Sequence, residues 1–212
     1  MLAPFFEYRD TFESYCPGPG CILSSFSKKF AYILAPYITH LANLSIFYSV
    51  YPDAWREAKI KILFKNNGSK EDLNNFRPLS LQKVLSKVLE RIVCSQTRYH
   101  LESNNLLPDR QFGFRNRHSI EYLLHDAIKS VCEAKQNKLS ISIIFIDLSK
   151  AFDTLDHRTL LLSIEFGIGS KSSTVEWFKS YLSNRRHFVQ IGNARSNTLP
   201  TGDISCQQGT VL

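Results

Sequence analysis

Cysteine is scarce in this sequence and shows no regular spacing. Five cysteines are scattered through 212 residues, and no CxxC pair occurs among them. Neither a disulfide framework nor a zinc knuckle is indicated, and a reducing compartment is expected. Glycine and proline are modest, at nine and eight residues, which argues against collagen-like and low-complexity chains. The length predicts one sizeable domain, or one and part of another.

Apolar runs long enough to cross a membrane are also scarce. Residues 30–52 contain no formally charged side chain, and they are long enough for a transmembrane helix. Pro36 and several polar residues interrupt the run, so we predict two short buried helices divided at Pro36, with a membrane span as the alternative. Acidic and basic residues near the start argue against a signal peptide. We therefore expect no membrane partner and a location inside the cell, in the nucleus or cytoplasm.

Positive charge is in excess and is concentrated in one stretch. The chain has 26 Lys and Arg against 19 Asp and Glu, a net charge of +7. Residues 54–117 hold thirteen basic and six acidic side chains, whereas the segments on either side are nearly balanced. A face that binds a polyanion has such a distribution, although a solvated basic surface explains it equally well.

The hydrophobic periodicity predicts an α+β architecture. Residues 58–65 alternate apolar and basic side chains, as a half-buried strand does, and the apolar run 139–146 predicts a buried strand. A helix is predicted over 82–103, with Lys87 and Glu90 on its polar face. Further elements are predicted as a helix from about Ser119, a helix over 157–166, a helix from about Ser173 with a Ser173–Glu176 capping box, and a hairpin at Gly192-Asn193.

Three aspartates lie within ten residues of the predicted buried strand. Asp147 follows the strand directly, and Asp153 and Asp156 come soon after it. Carboxylates fixed at a strand end, in a basic protein, indicate a site for a divalent cation such as Mg²⁺, which prefers oxygen ligands. Strand-end and helix-capping aspartates are the equally weighted alternative, and Asp156 is expected to cap the helix that begins near His157.

The string around these aspartates has a recognisable family form. FIDLSKAFDTLDH (145–157) resembles motif A of reverse transcriptases, as found in non-LTR, LINE-type (jockey-like) retrotransposons. NNFRPLSL, QFGFRNRHSI and SCQQGTVL resemble a fingers motif, the motif before the palm and the start of motif B, in that order. Ser205 and Gln207 depart from the Gly and Pro of motif B. The match covers residues 17–212, and its strength lies in the order of several motifs.

The resemblance implies a right-hand polymerase fold of the α+β class. It divides the chain into an irregular segment over 1–22, a fingers-like region over 23–138 and an incomplete palm over 139–212, a partial antiparallel sheet with packed helices and no thumb. The implied activity is RNA-directed DNA polymerisation, in which the primer 3′-hydroxyl attacks the α-phosphate of a dNTP at two Mg²⁺ ions, or Mn²⁺ in their place. The implied partners are an RNA template, a DNA primer and dNTPs, and the oligomeric state is not indicated.

The same resemblance assigns roles to residues at the reacting centre. Asp147 is implied as the catalytic metal ligand, and the backbone carbonyl of Leu148 adds a further oxygen. Phe152 matches the aromatic gate that excludes a ribose 2′-OH. Asp153 is given a structural role beside the metal site. Arg77 matches the arginine that lies over the incoming triphosphate, because a guanidinium binds phosphate bidentately.

Residues that contact the nucleotide or the nucleic acid are also implied. Gln208 and Gly209 match the motif B pair that supports the nucleotide and its template base. Phosphate contacts from the template or primer are assigned to Arg115 and Arg117. Three lysines on the predicted strand are similar candidates, although a polar strand edge explains them nearly as well: Lys59, Lys61 and Lys65.

One family motif does not occur in the 212 residues. Reverse transcriptases complete the metal site with a later [FY]-x-D-D turn, and neither this string nor a thumb is found. We therefore expect the chain on its own to be inactive as a polymerase. The alternative function is that of a non-catalytic, nucleic-acid-binding remnant of such a domain.

Overall fold

The chain folds into two units, and all of its described strands lie in the first. The computed structural model describes residues 29–148, 151 and 154–204. The first unit comprises residues 1–95 and 150–212, and the second comprises residues 96–149. Helices and a partial sheet are both present, so the α+β class is confirmed. The division into fingers and palm at residues 138 and 139 stays a prediction.

The described elements are five helices and five strands. The helices are α1 (Ala31–Phe47), α2 (Val84–Ser103), α3 (Ile120–Gln136), α4 (His157–Leu162) and α5 (Ser172–Leu182). The strands are β1 (Glu57–Phe64), β2 (Phe76–Leu81), β3 (Arg186–Ile191), β4 (Ala194–Arg195) and β5 (Leu199–Pro200). Short 3₁₀ turns lie at Asp53–Trp55 and Leu73–Asn75, and a π-helical turn, Ser163–Gly167, follows α4.

Most elements with a clear local pattern are confirmed. The strand predicted at 58–65 is β1, and the helices predicted from 82 and from about 119 are α2 and α3. The predicted hairpin is the antiparallel pair β3–β4. Asp156 caps α4 as predicted, because its Oδ2 accepts hydrogen bonds from the Thr159 N–H at 2.8 Å and the Thr159 hydroxyl at 2.7 Å. These hydrogen bonds hold the pKa of the Asp156 carboxyl below its usual value.

The predicted break at Pro36 is wrong, since α1 is one continuous helix of 17 residues. Proline removes one backbone donor, and here it lies in the second turn. The loss is offset because one side of the helix is buried in the core, through Ala31, Ala35, Ile38, Ala42 and Ser45. In the part of the chain that the structure describes, no helix is long and apolar enough to cross a membrane.

The strand predicted at 139–146 is absent. Residues 139–148 have no regular secondary structure and are exposed, and Phe145 is 91% exposed. Apolar β-branched residues favour an extended backbone, but a strand also needs a neighbour that satisfies its N–H and C=O groups. No strand among the described residues pairs with this segment. The sequence pattern therefore identified a tendency towards extended backbone, but it did not show whether a pairing strand was present.

The helices after residue 156 differ from their predictions in detail. The helix predicted over 157–166 ends as α-helix at Leu162 and continues as the π-helical turn. The helix predicted from about Ser173 is α5, but Lys171 occupies its N-cap and no side chain caps it. The predicted capping box is therefore wrong, because α5 begins two residues earlier than the Ser173–Glu176 spacing requires.

The sheet of the first unit has the order β2-β1-β3-β4, with β5 also paired to β3. Strand β1 is antiparallel to β2 and parallel to β3. Pro78 lies within β2, and a proline is tolerated there because β2 is at the edge of the sheet and its missing N–H leaves no central ladder bond unmade. The sequence pattern did not predict β2.

Aromatic and small residues form the core of the first unit. Trp177 and Tyr181 of α5 stack at 5.5 Å between ring centroids, and Tyr51 meets both rings edge-on. The indole N–H of Trp177 donates to the Ser45 hydroxyl at 3.0 Å, so its one polar atom is satisfied. Side chains from α2 complete the cluster, namely Val88, Leu89, Ile92 and Val93.

A polar network is buried inside this core. Tyr51 and Glu90 are both 0% exposed, and the Tyr51 hydroxyl lies 2.6 Å from Ser86 Oγ and 3.4 Å from Glu90 Oε1. Arg185 Nη2 lies 3.8 Å from Glu90 Oε1, and the guanidinium also lies over the Tyr51 and Tyr181 rings. The predicted polar face of α2 is thus wrong for Glu90 and Lys87, which are buried because non-local partners cover that side.

A second buried arginine ties β1 to the helical core. Arg56 donates from Nη2 to the Tyr51 carbonyl at 2.9 Å and from Nη1 to the carbonyls of Ser180 and Ser183. Its Nε donates to Asp53 Oδ1 at 2.6 Å. With the Ser180 hydroxyl, 3.2 Å from Nη2, five acceptors compensate the guanidinium for the water it loses on burial.

We predict that Glu90→Gln lowers the free energy of unfolding by about 3–5 kcal/mol, because it leaves the buried charge of Arg185 without its carboxylate. Urea unfolding followed by circular dichroism measures the loss. The matched control is Glu133→Gln, which breaks an exposed pair with Lys129 at 3.9 Å and should cost less than about 1 kcal/mol. Equal effects of the two substitutions would contradict the buried-pair account.

We predict that Tyr51 contributes to a loss of stability in alkali. Burial raises the pKa of Tyr51 to about 12 from 10.0, so the unfolded state ionises this phenol first. The contribution is fully present below pH 10 and is lost as the pH rises towards 12, by about 3 kcal/mol in total. Urea unfolding of the parent and of Tyr51→Phe at pH 8 to 11 tests it. Parallel stability curves for the two proteins would be the contrary result.

Candidate nucleic-acid interface

Four predicted site residues lie on one face of the β1–β2 hairpin. Lys59 and Lys61 are two residues apart on β1, so their side chains lie on the same face. The antiparallel register places Arg77 opposite Leu63, which puts Arg77 on that face as well. Lys65 extends this side beyond β1, where its N–H donates to the Asn75 carbonyl at 2.8 Å. We call these four cations, Lys59, Lys61, Lys65 and Arg77, the basic face.

Most of the basic face is exposed to solvent. Lys61, Lys65 and Arg77 are exposed and Lys59 is half-buried. Within the residues described here, none of the four makes an ion pair. Arg77 is diagonal to Lys61 across the two strands, and like charges at such positions repel each other. An anion bound over this face would relieve that repulsion.

The turn between β1 and β2 is held by its own polar side chains. Asn75 donates from Nδ2 to the Ser69 carbonyl at 2.8 Å, and Asp72 Oδ1 accepts from the Asn74 N–H at 2.9 Å. Gly68 has a φ of +77°, and a Cβ there would lie 2.5 Å from Asn75 Nδ2. Glycine is therefore required at this position by both conformation and space. The turn fixes how Arg77 returns beside β1.

Sequence reasoning missed an exposed arginine on the neighbouring strand. Arg186 begins β3 and pairs in register with Glu57, on the same side of the sheet as Lys59. Glu57 instead binds Arg195, with 3.0 Å between Arg195 Nη2 and Glu57 Oε1, and Arg195 also covers the Phe188 ring at 3.8 Å. The Arg185-Arg186 dipeptide was the available sign, but the sequence alone does not tell the buried arginine from the exposed one.

Arg115 and Arg117 lie in the second unit, in the loop between α2 and α3. Arg115 is half-buried, and its Nη1 donates to the Pro108 carbonyl at 2.8 Å. Arg117 is exposed and makes no ion pair within the described ranges. Of the two, Arg117 has the guanidinium that is available to a phosphate, and Arg115 is partly committed to the loop.

Asp147 and Leu148 lie at the end of the exposed segment 139–148 of the second unit. A carboxylate and a backbone carbonyl are the kinds of oxygen ligand that Mg²⁺ takes, so the two residues fit such an ion in kind. Among the described residues, no three His, Cys, Asp or Glu side chains lie close enough together to hold a metal ion. Within the described part of the chain, Asp147 therefore belongs to no such group.

The remaining predicted site residues lie outside the described residues. Phe152 and Asp153 of the motif A string are in this class, and so are Gln208 and Gly209 of the motif B string. Their roles as gate, structural acid and nucleotide support stay predictions.

Comparison with known proteins gives the family. Residues 65–207 match the family described as "Reverse transcriptase (RNA-dependent DNA polymerase)". The chain is 31% identical over 160 residues, 76% of its length and 17% of the relative's, to "Probable RNA-directed DNA polymerase from transposon BS" of Drosophila melanogaster. It is 29% identical over 196 residues, 92% of its length and 21% of the relative's, to the probable RNA-directed DNA polymerase from transposon X-element of the same species.

A third relative is "RNA-directed DNA polymerase from mobile element jockey" of Drosophila melanogaster, 28% identical over 176 residues, or 83% of this chain and 19% of the relative. The chain thus spans about a fifth of the length of the curated relatives it matches. The family match covers more than half of the chain and includes β2 and the loop with Arg117. The jockey-like resemblance inferred from the motifs is confirmed, and the chain belongs to the reverse transcriptase (RNA-dependent DNA polymerase) family.

Proposed function

We propose that this chain is part of an RNA-directed DNA polymerase of a jockey-like, non-LTR mobile element, with an RNA template, a DNA primer and dNTPs as its partners. The observation that supports the proposal best is the basic face, four cations without ion partners among the described residues. Polyphosphate is the chemical class that such a face selects. A right-hand polymerase fold, with fingers and part of a palm, and a site of action in the nucleus or cytoplasm belong to the same proposal.

Within this proposal the cations of the basic face have two different roles. Arg77 binds the triphosphate of the incoming dNTP, because its planar guanidinium is exposed, always charged and able to bind phosphate bidentately. The lysines of β1 contact the nucleic-acid backbone as point charges. The rigid β1–β2 ladder keeps Arg77 and Lys61 at a fixed separation, so a nucleotide and a strand bound by them are held in one orientation.

Asp147 is proposed as one ligand of the catalytic Mg²⁺, with the carbonyl of Leu148 beside it and Mn²⁺ as a substitute. When bound, the ion supplies positive charge that stabilises the phosphoryl group in transfer. Phe152 is proposed to exclude ribonucleotides, and Gln208 and Gly209 to support the nucleotide. Asp153 is proposed to have a structural role near Asp147.

A non-catalytic, nucleic-acid-binding remnant is the second candidate function. It is favoured by the basic face, because cations without ion partners among the described residues can bind phosphates whether or not a metal site is present. A two-metal catalytic site additionally needs carboxylates from more than one segment. Binding experiments test what the two candidates share, and primer extension separates them.

We predict that the 212-residue chain binds single-stranded RNA and RNA–DNA hybrids weakly, and that affinity falls as salt rises from 50 to 200 mM. Each phosphate contact releases a counterion, so Lys61→Ala and Arg77→Ala should each lower the slope of log K against log salt by about one. Fluorescence anisotropy at several salt concentrations measures the slope.

The matched control is Lys179→Ala, an exposed lysine of α5 that pairs with Glu176 at 3.8 Å. Its slope should equal that of the parent, since its charge is not on the basic face. A parent affinity that does not change with salt, or the same slope for Arg77→Ala and for the control, would remove the polyphosphate proposal.

We predict no templated DNA synthesis by the 212-residue chain on poly(rA)/oligo(dT), with Mg²⁺ or Mn²⁺. A longer chain that adds an [FY]-x-D-D segment and a thumb from a related element should extend the primer, because two-metal sites draw carboxylates from more than one segment. In that longer chain, Asp147→Ala should reduce synthesis by at least about 10³-fold, while Asp126→Ala, an exposed acid of α3, should not.

Extension by the 212 residues alone, lost with Asp147→Ala, would show that they contain a complete site. Synthesis by the longer chain that survives Asp147→Ala would remove Asp147 from the metal site. An inactive longer chain that still binds RNA with the predicted salt slope would favour the non-catalytic candidate.

A further inference from the structure

The loop at residues 108–118 of the second unit is held in shape by its own contacts. The Pro108 carbonyl accepts from the Gln111 N–H at 3.0 Å and from Arg115 Nη1 at 2.8 Å. Glu102 Oε1 accepts from the Asn116 N–H at 3.1 Å, which ties the loop to the last turn of α2. Hydrogen bonds therefore hold the loop near both of its ends.

A ring contact and a further hydrogen bond brace the same loop. The Phe112 and His118 rings meet edge-on, with 5.8 Å between centroids. His118 Nδ1 also lies 2.8 Å from the Asn116 carbonyl. Phe112 is thus the phenylalanine that packs within the loop. The other phenylalanine of the loop is Phe114.

Phe114 is 90% exposed and has a φ of +58°. A left-handed backbone is unfavourable for a bulky residue, and glycine is the residue that adopts it without strain. The neighbour Gly113 does not have this conformation. An exposed phenylalanine gains no burial that offsets the strain within the part of the chain described. The loop thus presents an aromatic ring to the outside at a cost in backbone energy.

The charged residues of the same loop indicate which kind of ligand contacts the Phe114 ring. The loop contains three arginines, Arg110, Arg115 and Arg117, and one acid, Asp109. Arg117, three residues after Phe114, is exposed and also has a φ of +58°, so the loop presents both an aromatic and a cationic side chain to solvent. Single-stranded nucleic acid is bound by this combination, in which bases stack on rings and arginines contact the backbone.

We propose that Phe114 is a stacking platform for an unpaired base of a single-stranded RNA, and that Arg117 contacts a phosphate of the same strand. The inference rests on the proposed nucleic-acid function and adds to it a second type of contact. Stacking is insensitive to salt, because no counterion is released when two π faces meet, whereas the Arg117 contact is sensitive. The two contacts are therefore separable in one titration series.

The experiment measures binding of a short fluorescent single-stranded RNA to the 212-residue chain at several salt concentrations. Phe114→Gly and Phe114→Leu should each lose about fivefold or more in affinity at every salt concentration, with an unchanged salt slope. Phe114→Trp should keep the affinity of the parent, since indole offers a larger π face. Arg117→Ala should lower the salt slope by about one.

Two controls separate a lost contact from a damaged fold. Phe114→Gly suits a φ of +58°, so its urea midpoint should equal or exceed that of the parent while its affinity falls. Phe166→Ala removes an exposed phenylalanine of the first unit, 77% exposed, and should bind as the parent does. An RNA with an abasic position in its centre should bind the parent less tightly and abolish the difference between the parent and Phe114→Leu.

The outcomes distinguish this inference from the proposed function on which it rests. A parent that binds with the expected salt slope, together with full affinity in Phe114→Gly and Phe114→Leu, would overturn the stacking role alone. A loss in Phe114→Gly that Phe166→Ala reproduces would also overturn it, as a non-specific effect of a lost ring. A parent that binds no RNA at low salt would overturn both.

Discussion

Two buried arginines determine where β1 and β3 begin, and the direction of every cation on the basic face depends on them. Arg56 comes directly before β1 and binds the Tyr51 carbonyl, and Arg185 comes directly before β3 and lies over the Tyr51 ring. The Arg186 N–H then donates to the Arg56 carbonyl at 3.1 Å, where the two strands begin. Because side chains alternate along a strand, a slip of one residue in β1 would turn Lys59 and Lys61 to the opposite face.

The sequence predicted the elements whose evidence is local. Apolar stripes at helical spacing identified α2 and α3, and alternation identified β1, because these patterns depend only on neighbouring residues. The break at Pro36 and the strand at 139–146 were wrong because both depend on distant parts of the chain, a core that holds α1 together and a strand partner. Strand β2 was missed for the same reason, since FRPLSL becomes a strand only beside β1.

The sequence predicted which residues belong to the site, but not how they are arranged relative to one another on the sheet. The motif strings assigned Arg77 and the lysines of β1 separately, and only the β1–β2 register shows that they share one face. Arg186 joins that side through its pairing with β1, which no spacing in the sequence reveals. Phe114 could not be identified either, because both its exposure and its backbone conformation are properties of a folded loop.

Only part of the positive charge of residues 54–117 is exposed and available to bind nucleic acid. Arg56 and Lys87 are buried, and Arg115 is partly held by the Pro108 carbonyl. A charge enclosed by the protein releases few counterions when nucleic acid binds, so a buried arginine adds to the net charge and not to the salt dependence. Exposed cations without ion partners in the described ranges, such as Lys61, Arg77 and Arg117, add both to the net charge and to the salt dependence. Part of the basic excess therefore stabilises the fold, and Arg56 within this part holds the start of β1, the strand that carries Lys59 and Lys61.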